Sequence, residues 1–557
     1  MIEDRLSELI SGALRSALPE VGADAAPPSI ELSKPKQKDF GDFSTNIALA
    51  LAGRARRSPR DVATAIVAHL PPDDLLERAE VAGPGFINLF VRDDWLYEVL
   101  RRVVAQGPRY GWAEPHGHSV NVEFVSANPT GPLHIGHARN AVIGDGLARV
   151  MEAAGWRVER EYYFNDAGRQ MGLFGASVEA RYLQLLGRPV ELPEEGYRGE
   201  YLIDVARDIA AAFGDSLADL SEDERHGRLL HEGAERVLAM ITRTLERFGV
   251  RFDVYFSERT LHGSGEIDET VRRLREVGHA YDHEGAVFFR STTFGDDKDR
   301  VLIRSNGAPT YFAADCAYLV DKFSRGFDHL IYVWGADHHG DVVRVRGAAE
   351  ALGFDPDAVE MILYQWVALY RGGRTVGMSK RAGTLVTLDE LLDEVGADAT
   401  RFTLLSRSND ATIDFDIEAV KQRSMENPVY YVQYGHARIA SILRHAAQRG
   451  LDLLPVEEAD LSQLRTESEL DLLRAVAEMP EQVAQAATLR APHRLTHYAQ
   501  ALAAQFHRFY TECRVVTEDR ALTQARLWLC TGTKQTIANV LGLLGVSAPE
   551  SMERTDA

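Results

Sequence analysis

Two histidines and a glycine, His134, Gly136 and His137, form a short cluster, and Ser379 and Lys380 follow far downstream. Imidazoles at this spacing can both donate hydrogen bonds to phosphate oxygens while negative charge moves during a reaction. The glycine has no Cβ, so a nucleotide could lie directly against the backbone there. The lysine and the serine could bring positive charge and a hydrogen bond to a departing pyrophosphate. In this order, the two segments indicate an ATP site that activates a carboxylate.

The elements around the two histidines fit a phosphate site. A strand-like run at 120–125 precedes them, the turn formers of 128–132 lead into them, and a helix-like run at 138–155 follows. A strand–loop–helix junction presents backbone N–H groups and the positive end of a helix dipole to a phosphate. Taken alone, a pair of histidines on a turn is more often a surface feature, and a lysine in a glycine-rich loop can be one too. The surrounding elements favour the site.

The middle of the chain alternates between strand-like runs and helical periodicity from about residue 118 to about residue 400. Strand-like runs occur at 120–125, 287–290 and 329–334. This alternation predicts a Rossmann-type parallel sheet, in which ligands bind at the carboxyl ends of the strands. Residues 180–260 are mostly helical and acidic, and we interpret them as an insertion within that domain.

The two flanks differ from the middle. Residues up to about 110 mix helix signals with a strand-like run at 85–91, which predicts a small α+β domain, and the Gly-Pro-rich segment 107–117 reads as a linker. After about residue 420 the pattern is nearly all helical and predicts a bundle. We therefore expect a multidomain α/β protein with domains at 1–110, 111–420 and 421–557.

Composition narrows the class of protein. A chain of 557 residues with 45% hydrophobic and 26% charged residues is typical of a soluble protein of several domains. No apolar stretch is long enough to span a bilayer, and no signal peptide is apparent at the start. Three scattered cysteines form no Cys-x-x-Cys pair, which argues against zinc and disulfides and fits a reducing cytoplasm. The net charge of −21 by itself argues against a nucleic-acid partner.

The run 123–137 resembles the HIGH signature region of class I aminoacyl-tRNA synthetases and, in detail, that of the arginyl-tRNA synthetases. Runs at 163–168, 334–340, 427–434 and 544–550 resemble the same family, so the likeness extends nearly from end to end.

The segment 374–384 is similar to the KMSKS loop of class I synthetases, and it departs from that signature at both ends. Gly377 stands where the first lysine would be, and Arg381 replaces the final serine. The second lysine, which carries more of the role in the family, is present as Lys380. The departure bears on how pyrophosphate is stabilised and leaves the reaction class unchanged.

The resemblance implies that the protein ligates L-arginine to tRNA(Arg) through an arginyl-adenylate, giving arginyl-tRNA, AMP and pyrophosphate. It implies catalytic roles for His134, His137 and Lys380. The ATP-binding residues that it implies are His134, Gly136, His137, Trp334, Gly335, Met378, Ser379 and Lys380. Mg²⁺ should arrive with ATP, held mostly by phosphates and water rather than by a protein metal site. The expected partners are tRNA(Arg), L-arginine and ATP, with no membrane, and the expected state is a cytoplasmic monomer.

A guanidinium group needs carboxylates that can bind it at two points and a flat surface on which to stack. The resemblance assigns arginine binding to Glu123, Ser126, Asn128, Tyr311, Asp315, Asp337 and His338. Tyr311 and Asp315 would lie one helical turn apart if 312–318 is helical. A metal at Asp337, His338 and His339 is disfavoured because these neighbours on one loop lack further ligands in the sequence.

The resemblance also assigns RNA contacts to both flanking domains. Phe43, Asn46, Phe86 and Asn88 are the candidates for the tRNA elbow, and Tyr431, Gln433 and Arg438 are the candidates for the anticodon. Aromatic and basic groups suit unstacked bases. Packing in the domain core is at least as good an explanation for the two phenylalanines, and for about half of the residues in the bundle.

Two other functions stay open. A non-catalytic tRNA-binding paralogue of the same fold would have lost its ATP motifs, whereas His134, Gly136, His137, Ser379 and Lys380 all stand. A synthetase for another amino acid is the second alternative. The lack of paired cysteine ligands disfavours the cysteine enzyme, and the Tyr311/Asp315 pair favours a cationic side chain.

Overall fold

The computed structural model describes residues 2–21, 29–35, 37–166, 168–376 and 386–552. The N-terminal part contains α1 (Ile2–Val21), β1 (Leu32–Ser33), β2 (Phe43–Thr45), α2 (Ile47–Ala55), α3 (Pro59–Ala68), β3 (Leu76–Ala82), β4 (Phe86–Val91) and α4 (Asp94–Gln106). Its strands form one antiparallel sheet in the order β1–β2–β4–β3. Apolar residues of α1, α2 and α3 cover this sheet and share its core. The small α+β domain predicted from the sequence is confirmed.

Helix α4 packs mainly against the C-terminal helices, although its Trp95 also contacts the core of this domain. Leu96 and Val103 belong to the large central core, together with residues of the C-terminal helices. The segment after α4 is also packed, since the Tyr110 hydroxyl donates to the Val476 carbonyl over 3.0 Å. Residues 107–117, which the sequence suggested as a linker, therefore begin with a segment that is attached to the bundle.

The middle of the chain supplies the largest set of elements. They begin with β5 (Ser119–Glu123), α5 (Ile135–Ala153), β6 (Arg157–Phe164), α6 (Gly168–Leu185), α7 (Tyr201–Phe213), α8 (Glu222–Arg247), β7 (Val254–Ser257), α9 (Glu258–Ser264), α10 (Glu266–Glu276), β8 (Ala280–His283), β9 (Ala286–Phe289) and β10 (Arg300–Ile303). They continue with α11 (Tyr311–Ser324), β11 (His329–Gly335), α12 (His339–Ala351), β12 (Val359–Tyr364), β13 (Val367–Arg371), β14 (Arg374–Thr375), α13 (Leu388–Val395), α14 (Ala397–Leu405), β15 (Ile413–Asp416) and α15 (Ile417–Val420).

Five of these strands form a parallel sheet in the order β12–β11–β5–β6–β7. Both faces of its inner strands are covered: β11 carries a run of apolar residues, whereas β5 alternates Val120 and Val122 with buried polar residues. β5 and β11 lie side by side and end at the same edge of the sheet. The Rossmann-type fold class is confirmed.

The strand predicted at 287–290 exists as β9, but it does not belong to the parallel sheet. It pairs antiparallel with β8 and β10 in a separate sheet of three strands. Glu284 and Gly285, the two residues between β8 and β9, both have positive φ, 50° and 77°. A two-residue turn of this kind joins only antiparallel neighbours, which is the reason for the difference.

The helical insertion is also more sharply bounded than the sequence suggested. Helices α6, α7 and α8 pack on one another and account for the helical character of 180–260. Residues 254–257, at the end of that range, instead form β7, the edge strand of the parallel sheet. A strand of only four residues gives too short a period to be separated from the helices beside it.

The C-terminal part is helical, as predicted. It consists of α16 (Pro428–Gln448), α17 (Glu467–Ala477), α18 (Met479–Thr488), α19 (His493–Glu512) and α20 (Arg520–Leu543). Short 3₁₀ helices elsewhere cover Lys38–Phe40, Gly107–Arg109, Ser216–Asp219, Ser291–Phe294, Ala336–His338, Pro356–Ala358 and Leu461–Gln463. Within the described ranges, none of the helices is both long enough and apolar enough to cross a membrane.

Candidate active site

The chain leaves β5 in an unusual conformation. Val125 and Ser126 have φ values of 65° and 42°, in the left-handed region that non-glycine residues rarely occupy. Such residues cost on the order of 1–3 kcal/mol each and persist only where the surrounding structure holds them. The Ser126 hydroxyl donates to Glu123 Oε1 over 3.2 Å, and Ser126 Oγ accepts the Tyr163 N–H over 3.1 Å. The turn thereby ties the ends of β5 and β6 together.

The two histidines cap the next helix. His134 is the N-cap of α5, and its Nδ1 accepts the Gly136 N–H over 3.1 Å. His137 Nδ1 accepts the His134 N–H over 3.2 Å, and the ring centroids lie 3.9 Å apart. A neutral imidazole that accepts at Nδ1 carries its proton on Nε2. Both rings are thus set in the tautomer that donates from Nε2, at the positive end of the helix dipole.

Gly136 is required by the ring beside it. A Cβ on Gly136 would lie 3.0 Å from His134 Cε1 and 3.2 Å from His134 Nδ1. Both distances are tighter than ordinary van der Waals contact. The glycine lets the His134 side chain fold back onto the first turn of α5, in addition to any nucleotide that it would admit.

Helix α5 contacts the neighbouring strands through close packing and buried hydrogen bonds. The Phe124 ring lies across Gly144, where a Cβ would overlap it. Arg139 is fully buried and donates to the carbonyls of Gln365 and Ala411, over 2.6 and 2.7 Å. It makes further bonds to the carbonyls at 366 and 408. A single guanidinium therefore holds α5 against the two segments that lead into β13 and β15.

Met378, Ser379 and Lys380 lie outside the described residues, as do Gly377 and Arg381. The described flanks of their segment are informative. Before it, the Val376 N–H donates to the Leu369 carbonyl over 2.8 Å. After it, Thr387 forms a bridge with His134, and the Leu388 N–H donates to the Leu133 carbonyl over 2.8 Å. The far end of the segment is thus bonded to the residues of the α5 cap.

The end of β11 borders the same edge of the sheet. Gly335 pairs with Tyr364 of β12, and a Cβ on Gly335 would overlap the Asp337 carboxylate. The Trp334 and His338 rings lie 5.8 Å apart. His338 Nδ1 also lies 3.1 Å from Asp341 Oδ2. Asp337 and His338 are exposed, and the structure brings them near the strand ends without a direct bond to the other predicted arginine residues.

A cluster of carboxylates, which we call the acidic cleft, lies where β5, β6, α9 and α11 meet. It is formed by Glu123, Asp315 and Glu258, and the Tyr163 hydroxyl donates to Glu258 Oε2 over 2.7 Å. Asp315 is exposed to solvent, although protein atoms surround it closely. Desolvation, followed by repulsion from Glu258 and Glu123, raises the pKa of Asp315 to about 8. A cleft in which carboxylates repel one another is suited to a cation.

Glu258 was not among the residues predicted from the sequence. It opens α9, a helix of seven residues, and carries no motif of its own. Its buried position and its bond to Tyr163 identify it only in three dimensions. The predicted helix around Tyr311 and Asp315 is present as α11, so these two residues do lie one turn apart.

A buried charge pair supports the floor of the cleft. Lys322 is fully buried and its Nζ lies 2.6 Å from Glu123 Oε2. The same ammonium group lies 4.3 and 4.0 Å from the ring centroids of Tyr318 and Tyr332. Although burial opposes ionisation, Lys322 and Arg325 lower the pKa of the neighbouring Glu161 to about 2. Glu123 itself is held by Lys322 and by the Ser126 hydroxyl.

Asn128 and Tyr311 occupy the rim. Asn128 Oδ1 accepts the Asn165 N–H over 3.1 Å, and its Nδ2 donates to Gln170 over 2.8 Å. Tyr311 is 58% exposed at the start of α11. Within the described residues, no group of three His, Cys, Asp or Glu side chains is placed to hold a metal ion.

Three family models match the chain in succession. They are "Arginyl tRNA synthetase N terminal domain" over 4–91, "tRNA synthetases class I (R), catalytic domain" over 99–441 and "DALR anticodon binding domain" over 432–552. The chain is also 49% identical to the arginine–tRNA ligase of Carboxydothermus hydrogenoformans over 551 residues, which cover 98% of this chain and 99% of the relative. The chain belongs to the arginyl-tRNA synthetase family.

Two further proteins agree with this membership. The arginine–tRNA ligase of Heliobacterium modesticaldum is 49% identical to the chain over 558 residues, with 99% of each covered. The solved structure of the Thermus thermophilus arginyl-tRNA synthetase superposes with a TM-score of 0.77 at 25% identity. It covers 99% of this chain and 100% of that one.

The family's expected RNA contacts in the N-terminal part fall into two groups. Phe43 is buried in the domain core, and Asn88 is buried where its Oδ1 accepts the Ser44 hydroxyl over 3.0 Å. Asn46, the N-cap of α2, is exposed, and so is Phe86 at 39%. Their contact with RNA stays a prediction, and burial counts against direct contact for Phe43 and Asn88.

In the bundle, the residues predicted to contact RNA differ in their surroundings. Gln433 is buried and its Nε2 donates to Asp398 Oδ2 over 2.8 Å, so its side chain joins two helices of the protein. The Arg438 guanidinium lies 5.0 Å from the Tyr434 ring centroid and 4.6 Å from that of Tyr510. Tyr431 packs on His507, with centroids 4.8 Å apart.

Together, the Arg438 and Tyr431 contacts make a face of aromatic and basic groups on α16 and α19, which we call the aromatic face. The sequence pointed to its α16 half, because those residues lie in one run. His507 and Tyr510, which complete it from α19, were missed because they lie far away along the chain.

Proposed function

We propose that this chain joins L-arginine to tRNA(Arg) in two steps, using ATP and passing through an arginyl-adenylate. The family to which it belongs makes it a class I arginine–tRNA ligase that uses ATP. The observation that carries the site assignment is the pair of imidazoles at the cap of α5, set to donate from Nε2 beside an acidic cleft. One group of residues suits phosphate, and the other suits a guanidinium.

In the first step, an oxygen of the arginine carboxylate attacks the α-phosphorus of ATP. The bond from that phosphorus to the bridging oxygen breaks, and pyrophosphate leaves with the negative charge. His134 and His137 donate hydrogen bonds to the phosphates, and Lys380 neutralises the charge that moves onto pyrophosphate. Met378 and Ser379 belong to the same segment, and Thr387, beyond its far end, is bridged to His134. The protein forms no covalent bond with the substrate.

In the cleft, Asp315 and Glu258 face the guanidinium, and the open ring of Tyr311 covers it. Glu123, Ser126 and Asn128 hold the end that carries the ammonium and carboxylate groups. Lys322 supports this arrangement because it neutralises one side of Glu123 and fixes its orientation. Asp337 and His338 complete the rim, and Trp334 and Gly335 border the nucleotide.

In the second step, the 2′-hydroxyl of the terminal ribose of tRNA attacks the carbonyl carbon of the adenylate, and AMP leaves with the bonding electrons. Tyr431 and Arg438 on the aromatic face contact the anticodon, and Asn46 and Phe86 contact the tRNA elbow. Bound tRNA is required for the first step as well, as the family resemblance implies.

Mg²⁺ would enter with ATP and would be held mostly by phosphate oxygens and water. When bound, the ion would shield the phosphate charge. A monomeric state, a cytoplasmic location and the division at 1–110, 111–420 and 421–557 are further parts of the proposal.

ATP–pyrophosphate exchange, measured with each amino acid in turn and with or without total tRNA, tests the proposal. We expect exchange with arginine alone, and only when tRNA is present. A matched Asp315→Asn variant should lose most of the exchange at low arginine concentration. Exchange with another amino acid would overturn the assignment of the cleft. Binding of tRNA without any exchange would favour the non-catalytic paralogue, which no finding so far supports.

A further inference from the structure

Asn140 lies one turn beyond His137 on α5 and is 5% exposed. Its Oδ1 accepts the Val125 N–H over 2.5 Å, and its Nδ2 donates to the Val333 carbonyl over 2.8 Å. The amide therefore joins three elements, because Val125 follows β5, Val333 lies in β11, and Asn140 itself belongs to the helix that the histidines cap. Neither bond is part of the histidine cap.

The bond to Val125 stabilises a backbone conformation that is unfavourable for valine. Val125 has a φ of 65°, and a β-branched side chain is a genuine outlier in the left-handed region. Its buried N–H needs an acceptor in any case, and the Asn140 carbonyl group supplies one only while the turn keeps this shape. On the other side, the Phe124 ring is locked against Gly144 of the same helix.

The turn at Val125 also determines where the side chain of Ser126 lies. From its position, the Ser126 hydroxyl donates to Glu123 Oε1 over 3.2 Å and accepts the Tyr163 N–H over 3.1 Å. Tyr163 is the residue whose hydroxyl holds Glu258. If Val125 relaxed to an extended conformation, Ser126 would leave both partners, and the two carboxylates would lose a shared support.

We propose that Asn140 is a positioning residue for arginine, which keeps Val125 in the left-handed region and thereby sets Ser126, Glu123 and Tyr163 around the acidic cleft. The inference rests on the arginine site proposed above. It assigns to the ATP helix a second task besides presenting the histidines, namely to shape the pocket for the amino acid. Asn140 touches no substrate itself; it acts on the arginine site through Val125, while its bond to the Val333 carbonyl ties it to β11.

A double-mutant cycle of Asn140→Ala and Val125→Gly tests the inference in the aminoacylation reaction of the full chain with tRNA. Glycine adopts a positive φ without strain, so the turn should depend less on Asn140 in the Val125→Gly background. We expect Asn140→Ala to raise the KM for arginine about tenfold or more in the natural background, and less than about threefold in the Val125→Gly background. The KM for ATP should change by less than about threefold in both.

A role confined to general stability would not produce this dependence on residue 125. The inference would be overturned if Asn140→Ala raised the KM for arginine by the same factor with Val125 as with Gly at position 125. It would also be overturned if the KM for ATP rose in parallel with the KM for arginine. Asn140→Ser, made in parallel, gives the same comparison if the alanine variant does not fold, and thermal unfolding reports on folding for all four chains. Glu123→Gln tests the arginine site without involving Val125, so that a failure of the site and a failure of the inference are distinguishable.

Discussion

At the scale of the residue, the proposed ATP step depends on which ring nitrogens of two histidines carry the protons. The bonds at Nδ1 of His134 and His137 leave the ring protons on Nε2, so both rings are donors before any nucleotide arrives. Donors that are fixed in advance need no reorganisation while charge moves, which makes them effective for a phosphoryl transition state. In the proposed reaction, Lys380 differs from them because it would supply a full charge from a separate segment of the chain.

Replacement of Lys380 by alanine should lower ATP–pyrophosphate exchange by about 100-fold or more, because a donor to the migrating charge is lost. The tRNA dissociation constant, measured by filter binding, should stay nearly unchanged. Arg374→Ala is the matched control, since it removes one positive charge from an exposed residue of the preceding hairpin. A loss confined to tRNA affinity would contradict the role given to Lys380.

Asp315 makes arginine binding depend on pH. Its pKa is raised to about 8, whereas in the proposed function the guanidinium binds the ionised carboxylate. Below that pKa, binding must release a proton, so the dissociation constant for arginine should fall as pH rises, approaching about tenfold per pH unit between about pH 6 and 8. Calorimetric titration in buffers of different ionisation enthalpy measures the proton release directly.

The same shift has a consequence for stability, with the opposite sign from that of a salt-bridged carboxylate. The folded protein keeps a proton on Asp315 that the unfolded chain has lost, so this group's contribution to the free energy of unfolding decreases as pH rises from about 4 to 8.

Asp315→Asn should remove the proton release and weaken arginine binding. The exposed Asp282→Asn variant should do neither. Proton release that persists in Asp315→Asn would contradict the assignment.

At the scale of the element, helix α5 joins the nucleotide side and the amino-acid side of the site. Its cap presents the histidines, its next turn carries Arg139 and Asn140, and Gly144 receives the Phe124 ring. Arg139 contacts the segments that lead into β13 and β15, whereas Asn140 and Gly144 both contact the end of β5. A shift of α5 would therefore alter both substrate sites together.

Two glycines of α5 offer a direct comparison. Gly144→Ala would place a Cβ into the buried Phe124 ring, so we expect a loss of about 1–3 kcal/mol in the free energy of unfolding, with a raised KM for arginine. Gly146→Ala adds the same methyl group where the nearest atom, Pro492 Cβ, is 3.4 Å away. It should be neutral or stabilising by up to about 1 kcal/mol, since alanine is the better helix former. Guanidinium unfolding midpoints measure both, and similar losses in the two variants would contradict the contact.

At the scale of the whole molecule, one buried ion pair ties the domains to the ATP helix. Arg401 of α14 is fully buried, pairs with Asp145 of α5 and donates to the Leu544 and Phe248 carbonyls, each over 3.0 Å. Leu544 belongs to the C-terminal part and Phe248 ends the helical insertion. A Cβ at Gly545 would overlap the guanidinium, so the C-terminal segment is fitted closely around it.

Arg401→Met should therefore destabilise the protein by up to about 3–5 kcal/mol, because the buried Asp145 carboxylate loses one of its partners and keeps Arg149 and the more distant Arg160. The double variant with Asp145→Asn should recover part of that loss, since neither charge remains. Arg272→Met, which breaks an exposed pair on α10, should give no measurable change in the unfolding midpoint. The contradicting result would be a double variant as unstable as the sum of the two single variants.

Local patterns in the sequence were enough for the elements that bear the ATP motif. The strand predicted at 120–125 and the helix predicted at 138–155 correspond to β5 and α5, and the helix starts three residues earlier because His134 caps it. The one-turn separation of Tyr311 and Asp315 followed from helical spacing alone. Periodicity and turn chemistry depend on near neighbours, which is why a single sequence reveals them.

The tertiary structure decided which of these elements meet. Strand β9 joined a separate antiparallel sheet, Gln433 turned inward to Asp398, and Glu258 and Asn140 entered the site from positions that carry no motif. Contacts of this kind join residues far apart in the chain, and they depend on the packing of whole elements rather than on local spacing. The sequence by itself thus determined the chemistry, the family and the main elements, while the acidity of the cleft and the strained turn beside it arise only when distant segments are brought together.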